Sequence, residues 1–223
     1  MAIRNIVLEG DPMLRKKSKP VREVNDHIRE IMGDMLDTMH EHLGVGLAAP
    51  QVGVMRRMFV AEPEPDDVYY MINPEIIESD GSQEGPEGCL SVPDLEGIVD
   101  RPMHIKIKAQ DLDGNEQEYD FEDFHARVMC HEYDHLDGVL YIDKAVETYD
   151  PEEKYKEMAE EIAAKNAELK EQGEDAAEND DAADDAALDA GEPDAAAQDN
   201  TATGAAEQDA AAQDNAAADD EDK

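Results

Sequence analysis

The chain has 223 residues, 58 acidic against 19 basic, a formal net charge of −39, two cysteines and no tryptophan. That length fits one ordinary domain plus an extension. The charge argues against nucleic acid or anionic lipid as a direct partner of the surface as a whole, and no run of about 18 apolar residues is present to span a membrane. Two cysteines, Cys89 and Cys130, do not make a secreted disulfide framework, and the start MAIRNIVLEG lacks the apolar core of a signal peptide. The expected setting is therefore the reducing cytoplasm, where a thiolate stays free for a metal.

In chain order, Asn25 or Asp26 is placed to cap a first helix. Ile28, Ile31, Met32, Met35, Leu36, Met39 and Leu43 recur along one face of it, and Gly44 follows as its stop. The stripe reads as core. The segment GVGLAAPQVG, 44–53, carries three glycines and Pro50, which deny it regular structure and let its backbone come close to something. MFVAE, VYYMINPEII and MHIKIKAQ read as strands. In the last, Met103, Ile105 and Ile107 alternate with polar residues, and Asp113-Gly114 turns the chain toward a partner strand near Glu118–Phe121. EGPEGCLSVPDLEG, 84–97, is rich in glycine and proline and puts Cys89 on a loop or a short edge strand. A second helix follows, capped by Asp123 and stopped by Gly138, on which Phe124, Val128, His131 and His135 share one inward-facing stripe.

Asp150-Pro151 starts a last helix, with Tyr155, Met158, Ile162 and Leu169 at roughly helical spacing and an end near Gly173. Beyond it the sequence collapses into Ala, Asp, Glu, Gln and Asn, and DAAAQDN occurs at both 194–200 and 209–215. Residues 171–223 hold 19 acidic residues and one lysine, which leaves the preceding residues net acidic too. So little apolar surface cannot offset the ordering entropy, and residues 172–223 are expected to form a disordered acidic tail behind a domain of residues 1–171. A solvating tail is favoured over one that docks a basic partner.

The second helix carries HEYDH, 131–135. Residues four apart lie on one helical face about 6 Å apart along the axis, so two imidazoles can converge on one ion at about 2.0–2.1 Å. Glu132 lies about 100° round the helix, outside the ligand direction but within reach of a water at the site. The bland alternative is two satisfied core histidines. A catalytic site also needs a third protein ligand and an open position. No histidine follows His135; Glu147 and the acidic residues of the last helix are undistinguished, and Cys89 is the better candidate, although burial as a small apolar residue is the common fate of a free cysteine.

Three segments stand in order: GVGLAAPQ at 44–51, EGCLS at 87–91 and HEYDH at 131–135. Together they resemble the three signature motifs of the peptide deformylases, and GDPMLRKKSKPV at 10–21 strengthens the likeness over roughly residues 3–148. The resemblance implies an α+β fold with antiparallel β-sheets around the central helix that bears His131 and His135. It implies that Cys89, His131 and His135 ligate one divalent metal ion, Fe²⁺ in the cell with Zn²⁺ or Ni²⁺ seen in its place, and that the fourth position is left to water. Glu132 would move the proton, and Gln51 (side-chain amide) and Leu90 (backbone N–H) would hold the oxyanion. Gly46 would bind the substrate main chain, and Val45, Phe124 and Val128 would line the methionine pocket. Glu87 and Arg101 would form an ion pair supporting the cysteine loop. The implied reaction is hydrolysis of N-formyl-methionyl nascent peptides to formate and a free amino terminus, by a monomer meeting the ribosome transiently.

Cys130 stands where many members of that family carry Gln; it is about 100° off the ligand direction and is expected to pack rather than bind. Two rival readings make different demands. A zincin-type protease needs a third ligand downstream of His135. A non-catalytic, metal-stabilised binding module with an acidic recruitment tail needs no acid–base residue at position 132.

Overall fold

The structure, a computed structural model, describes residues 2–180. The chain divides into units of Met1–Lys170 and Glu171–Lys223. Within the first, helix α1 (Asp26–Glu41) is capped by Asn25, whose side chain accepts the Ile28 N–H at 3.1 Å, as the sequence suggests. Its apolar stripe is core: Ile28, Ile31, Met32, Met35 and Met39 pack against strands β1 (Gly46–Ala48) and β2 (Met58–Ala61). The last member of the predicted stripe departs from it. Leu43 lies beyond the helix at φ 56° and is 93% exposed.

Strands β3 (Tyr69–Asp80), β6 (His104–Gln110) and β7 (Glu116–Glu122) complete an antiparallel sheet in the order β1-β2-β3-β6-β7. The alternation expected in MHIKIKAQ is observed, with Ile105, Ile107 and Ala109 buried on one face. The Gly/Pro-rich stretch is more regular than its composition suggests. It forms a hairpin, β4 (Gln83–Cys89) and β5 (Val92–Arg101), which with β8 (Glu147–Tyr149) makes a second antiparallel sheet in the order β4-β5-β8. Cys89 thus lies at the end of an edge strand, one of the two placements expected for it. At Gly97 tertiary contacts leave no room for a side chain: a Cβ there would meet the Ala145 Cβ at 2.9 Å and the Glu147 carbonyl at 3.0 Å.

Helix α2 (Asp123–Leu136) contacts the first sheet through β1, β2, β6 and β7 and the second through β5. Ala126, Val128, Met129, Cys130 and Leu136 join the core of the first sheet. Cys130 packs there as expected, and burial pushes its thiol up to about 11. The expected cap differs: Glu122 precedes the helix without a side-chain hydrogen bond, and Asp123 is its first residue. The fold class is borne out as mixed helices and antiparallel sheets.

Helix α3 (Pro151–Asp180) starts where Asp150-Pro151 places it, with the Asp150 side chain accepting the Glu152 N–H at 2.9 Å. It runs through Gly173 to Asp180, past the expected end. Glycine costs about 1 kcal/mol in a helix relative to alanine, and the Glu, Ala and Gln around it are good helix formers. Tyr155, Met158 and Ile162 on this helix are exposed. The remainder of the expected acidic tail, residues 181–223, lies outside the described residues. Among the described residues no helix is long and apolar enough to cross a membrane.

Candidate active site

Three elements converge beside α2. The first is β1, an edge strand. Val45 accepts the Glu62 N–H and Leu47 faces Val60, so the alternation of an antiparallel ladder turns the polar groups of Gly46 to the open edge. Gly46 also lies against α2: a Cβ there would approach Glu132 Cδ to 2.8 Å and Cγ to 2.9 Å. This is the close approach that the small residues of the segment allow.

The second element is the turn after β1. Residues 49–52 form a short 3-10 turn in which the Gln51 side chain folds back, its Oε1 accepting the Ala48 N–H at 2.8 Å. That bond fixes which end of the amide faces outward. Nε2 is directed to Cys89 Sγ at 3.4 Å and Ser91 Oγ at 3.2 Å. Gln51 is 2% exposed, so its N–H groups have little water to bond to.

The third is the β4–β5 hairpin, where the pairing register shifts between Gly88 and Cys89. Such a bulge re-aims a side chain, and here it brings Cys89 Sγ to 3.3 Å from His135 Nε2. The donor atoms of Cys89, His131 and His135 all lie within 4.8 Å of one another. Bonds of about 2.3 Å and 2.05 Å at a tetrahedral angle set a sulfur–nitrogen spacing of about 3.6 Å, near the spacing observed. The imidazole rings stand 5.0 Å apart and 71° from coplanar, which suits two ligands approaching one ion from different directions.

The surrounding charge prepares this geometry. Glu87 is 7% exposed and receives Arg101 through two bonds of 2.8 Å, Arg127 at 2.9 Å and His131 Nδ1 at 2.9 Å. Burial works to raise the Glu87 pKa, but its bonds to Arg101 and His131 prevail and hold it down at about 2. With Nδ1 engaged by a carboxylate, His131 presents Nε2 to the site, the usual arrangement around a histidine ligand. Burial opposes a charge on His131, yet the adjoining Cys89 sulfur and Glu87 carboxylate raise its pKa well above 6.5. Burial and the nearby His131 charge lower that of His135. Its own burial, opposed by the His131 and Arg101 charges and aided by that of Glu87, pushes Glu132 up to about 7. Glu132 Oε2 and His135 Nδ1 are buried without a hydrogen-bond partner.

A cavity of about 430 Å³ opens beside these groups, and Val45, Gly46, Gln51, Leu90, Phe124 and Val128 line it with Cys89, His131 and Glu132. The structure therefore brings every predicted site residue except His135 to the cavity itself, and His135 is buried with its Nε2 3.3 Å from Cys89 Sγ. Their burial differs from the stripe expected on α2. Val128 is buried, whereas Phe124 is 49% exposed and Val45 43% exposed, so these two form a rim rather than an enclosed wall. Arg127 was not singled out by the sequence reading. It lines the cavity and also donates to the carbonyls of Gln83, Gly85 and Val99. An arginine three positions after Phe124 and four before His131, on the stripe side of α2, with glycine at position 85, was the available signal: a Gly85 Cβ would meet Arg127 Nη2 at 3.1 Å.

A family model described as polypeptide deformylase matches residues 3–152. The chain is 51% identical over 154 residues to a peptide deformylase of Thermoanaerobacter pseudethanolicus, covering 69% of this chain and 96% of that one. It is 42% identical over 156 residues to one of Natranaerobius thermophilus, covering 70% and 100%. Among solved structures, the peptide deformylase of Thermotoga maritima superposes with a TM-score of 0.64 at 40% identity, covering 66% of this chain and 100% of that one. A Met-Ala-Ser-bound class I type b peptide deformylase from Acinetobacter baumannii gives 0.61 at 34% identity, covering 64% and 98%.

Proposed function

The chain belongs to the peptide deformylase family, and from that premise we propose that Cys89, His131 and His135 hold one divalent cation beside a cleft for the formyl-methionine end of a nascent polypeptide. The protein is a hydrolase that removes the N-formyl group from the N-terminal methionine of newly made polypeptides, with release of formate. The family is metal-dependent, and the convergence of one sulfur and two imidazoles within 4.8 Å is the single observation that carries the site assignment. Such a donor set suits a borderline metal, and Fe²⁺ is our choice, with Zn²⁺ or Ni²⁺ able to replace it. When bound, a divalent ion there supplies a Lewis acid and lowers the pKa of a water toward neutrality.

The chain's own groups divide the remaining work. Glu132, with a pKa of about 7, can take a proton from the attacking water and return one to the leaving amine near neutral pH. Gln51 Nε2, aimed by the bond that Oε1 makes to Ala48, and the Leu90 backbone N–H stabilise the developing oxyanion. The open edge of β1 at Gly46 pairs with the substrate main chain, as an added strand pairs with a sheet edge. Val45, Phe124 and Val128 receive the methionine side chain. Bound Met-Ala-Ser in the Acinetobacter relative supports this reading of the cleft. We take residues 1–171 as the catalytic domain and 172–223 as an acidic tail outside it. The enzyme is read as a cytoplasmic monomer that meets its substrates transiently at the ribosome and binds no nucleic acid directly.

The experiment is formate release from formyl-Met-Ala-Ser by protein loaded anaerobically with Fe²⁺ or Ni²⁺, with metal analysis of the same sample. Turnover with one metal per chain is expected; no formate from the loaded protein would overturn the reading. In the same assay Gln51→Ala loses one oxyanion donor, and kcat should fall by about 10²–10³-fold. Metal content should be unchanged, because Gln51 is not a ligand. The approach of Cys89, upstream of the motif, to His131 and His135 supports the deformylase reading over a zincin-type protease, which calls for a downstream third ligand.

A further inference from the structure

Leu43 is the one member of the α1 stripe that the fold turns to solvent, and its backbone shows the cost. Helix α1 ends in a paired closing motif: the Leu43 N–H bonds the His40 carbonyl at 3.0 Å and the Gly44 N–H bonds the Met39 carbonyl at 2.9 Å. This motif places the residue before Gly44 in the left-handed region, the position that ordinarily holds glycine. Here it holds leucine, at φ 56°. Its side chain is 93% exposed, so no burial within the domain offsets the strain. Leu43 nonetheless lines the cavity, together with Val45, Leu90 and Phe124. Three independent observations therefore meet at one residue: a strained conformation, an exposed apolar side chain and a place at the mouth of the active site.

Exposure rises along this segment from its buried end toward Leu43. Ala48 and Leu47 are fully buried, Gly46 is intermediate, Val45 is 43% exposed and Leu43 is 93% exposed. A peptide laid along the open edge of β1 with its methionine at the buried end must pass Leu43 on its way out. Successive side chains of an extended chain point to opposite sides, so the residues just after the methionine are those that come within reach.

We propose that Leu43 is a specificity-determining residue: it forms an apolar contact with the residues that follow the methionine, so that the enzyme favours nascent chains beginning formyl-Met followed by apolar side chains. The inference rests on the placement of the substrate along β1. It deepens that reading by naming the sequence class preferred.

The test compares kcat/KM for formyl-Met-Leu-Leu and formyl-Met-Ser-Ser in the full-length, metal-loaded protein, as wild type, Leu43→Gly, Leu43→Asn and Leu43→Met, with thermal melting of each. The wild type should prefer the apolar peptide by roughly fivefold, the order expected when one or two methylene groups leave water. Leu43→Gly and Leu43→Asn should bring the ratio toward one, by loss on the apolar peptide and through KM rather than kcat. Leu43→Met should keep the preference. Leu43→Gly should melt no lower than the wild type, because glycine relieves the left-handed conformation. A ratio unmoved by Leu43→Gly would overturn the inference while leaving the site assignment intact, and so would a lowered melting temperature with equal losses on both peptides. No formate from either peptide with the wild type would overturn the site assignment and this inference together.

Discussion

Replacing Glu132 by Gln will leave the protein folded and metal-loaded and remove about 10²–10⁴-fold of its turnover, the usual contribution of positioned proton transfer. The substitution keeps the shape of a side chain that is 4% exposed and packed against Gly46. It removes only the group that can change protonation near neutral pH. The carboxyl is raised to about 7 chiefly because burial disfavours its charge, and its Oε2 has no partner within the protein. An amide at this position has no such charge to bury, so the melting temperature of Glu132→Gln should equal or exceed that of the wild type. Formate release, metal analysis and a melting curve on one preparation check all three points. Undiminished turnover would show that Glu132 is not the proton-transfer group.

Glu87→Ala should have the largest effect on stability. It strips Arg101, 3% exposed, and Arg127, 6% exposed, of their shared carboxylate. Breaking a buried pair by removing one partner costs about 3–5 kcal/mol, because the remaining charge stays buried. The loss is moderated at Arg101 by Asp134 and at Arg127 by three backbone carbonyls. His131 Nδ1 loses its acceptor in the same stroke, and such partners are typically worth 10–100-fold in metal affinity. Urea unfolding and a metal titration measure the two effects separately. The pH dependence has a definite sign. The Glu87 carboxyl is held at about 2 in the fold against an ordinary 4.5, so its contribution to stability is complete above about 4.5 and is lost as pH falls through about 2. Across that window the wild type should lose an increment of stability that Glu87→Ala does not lose.

Much of the site was legible in the sequence because its elements are local. His131 and His135 share a helical face by their spacing alone, and Glu132 is turned aside by the same arithmetic. The α1 stripe announced its buried face from Ile28 to Met39. The two cysteines were separable in part: Cys130 is off the ligand direction, and it packs in the core as that angle implies. The limits appear where neighbours in space are distant in sequence. Phe124 and Leu43 continue apolar stripes and yet lie exposed at the cavity mouth, since periodicity says which side a residue is on and not whether anything covers that side. The β4–β5 hairpin was hidden by glycines whose rationale lies in distant contacts: Gly85 lies against Arg127, 42 positions away, and Gly97 against Ala145, 48 positions away.

By itself the sequence determined the two helices that matter, the alternation of the β6 strand, the paired histidines with their intervening carboxylate, and a set of three motifs specific enough to indicate the family. The tertiary structure alone decided that Cys89 meets His135 across 46 positions, that three buried side chains share the Glu87 carboxylate, and that the cleft opens along the free edge of β1. The division follows from the range of the forces involved. Helical phase and turn chemistry are set by residues within four or five positions of one another. Ligand convergence depends on a bulge in one sheet, the packing of a helix from elsewhere and the burial of charges that become neighbours only once the chain has closed around them.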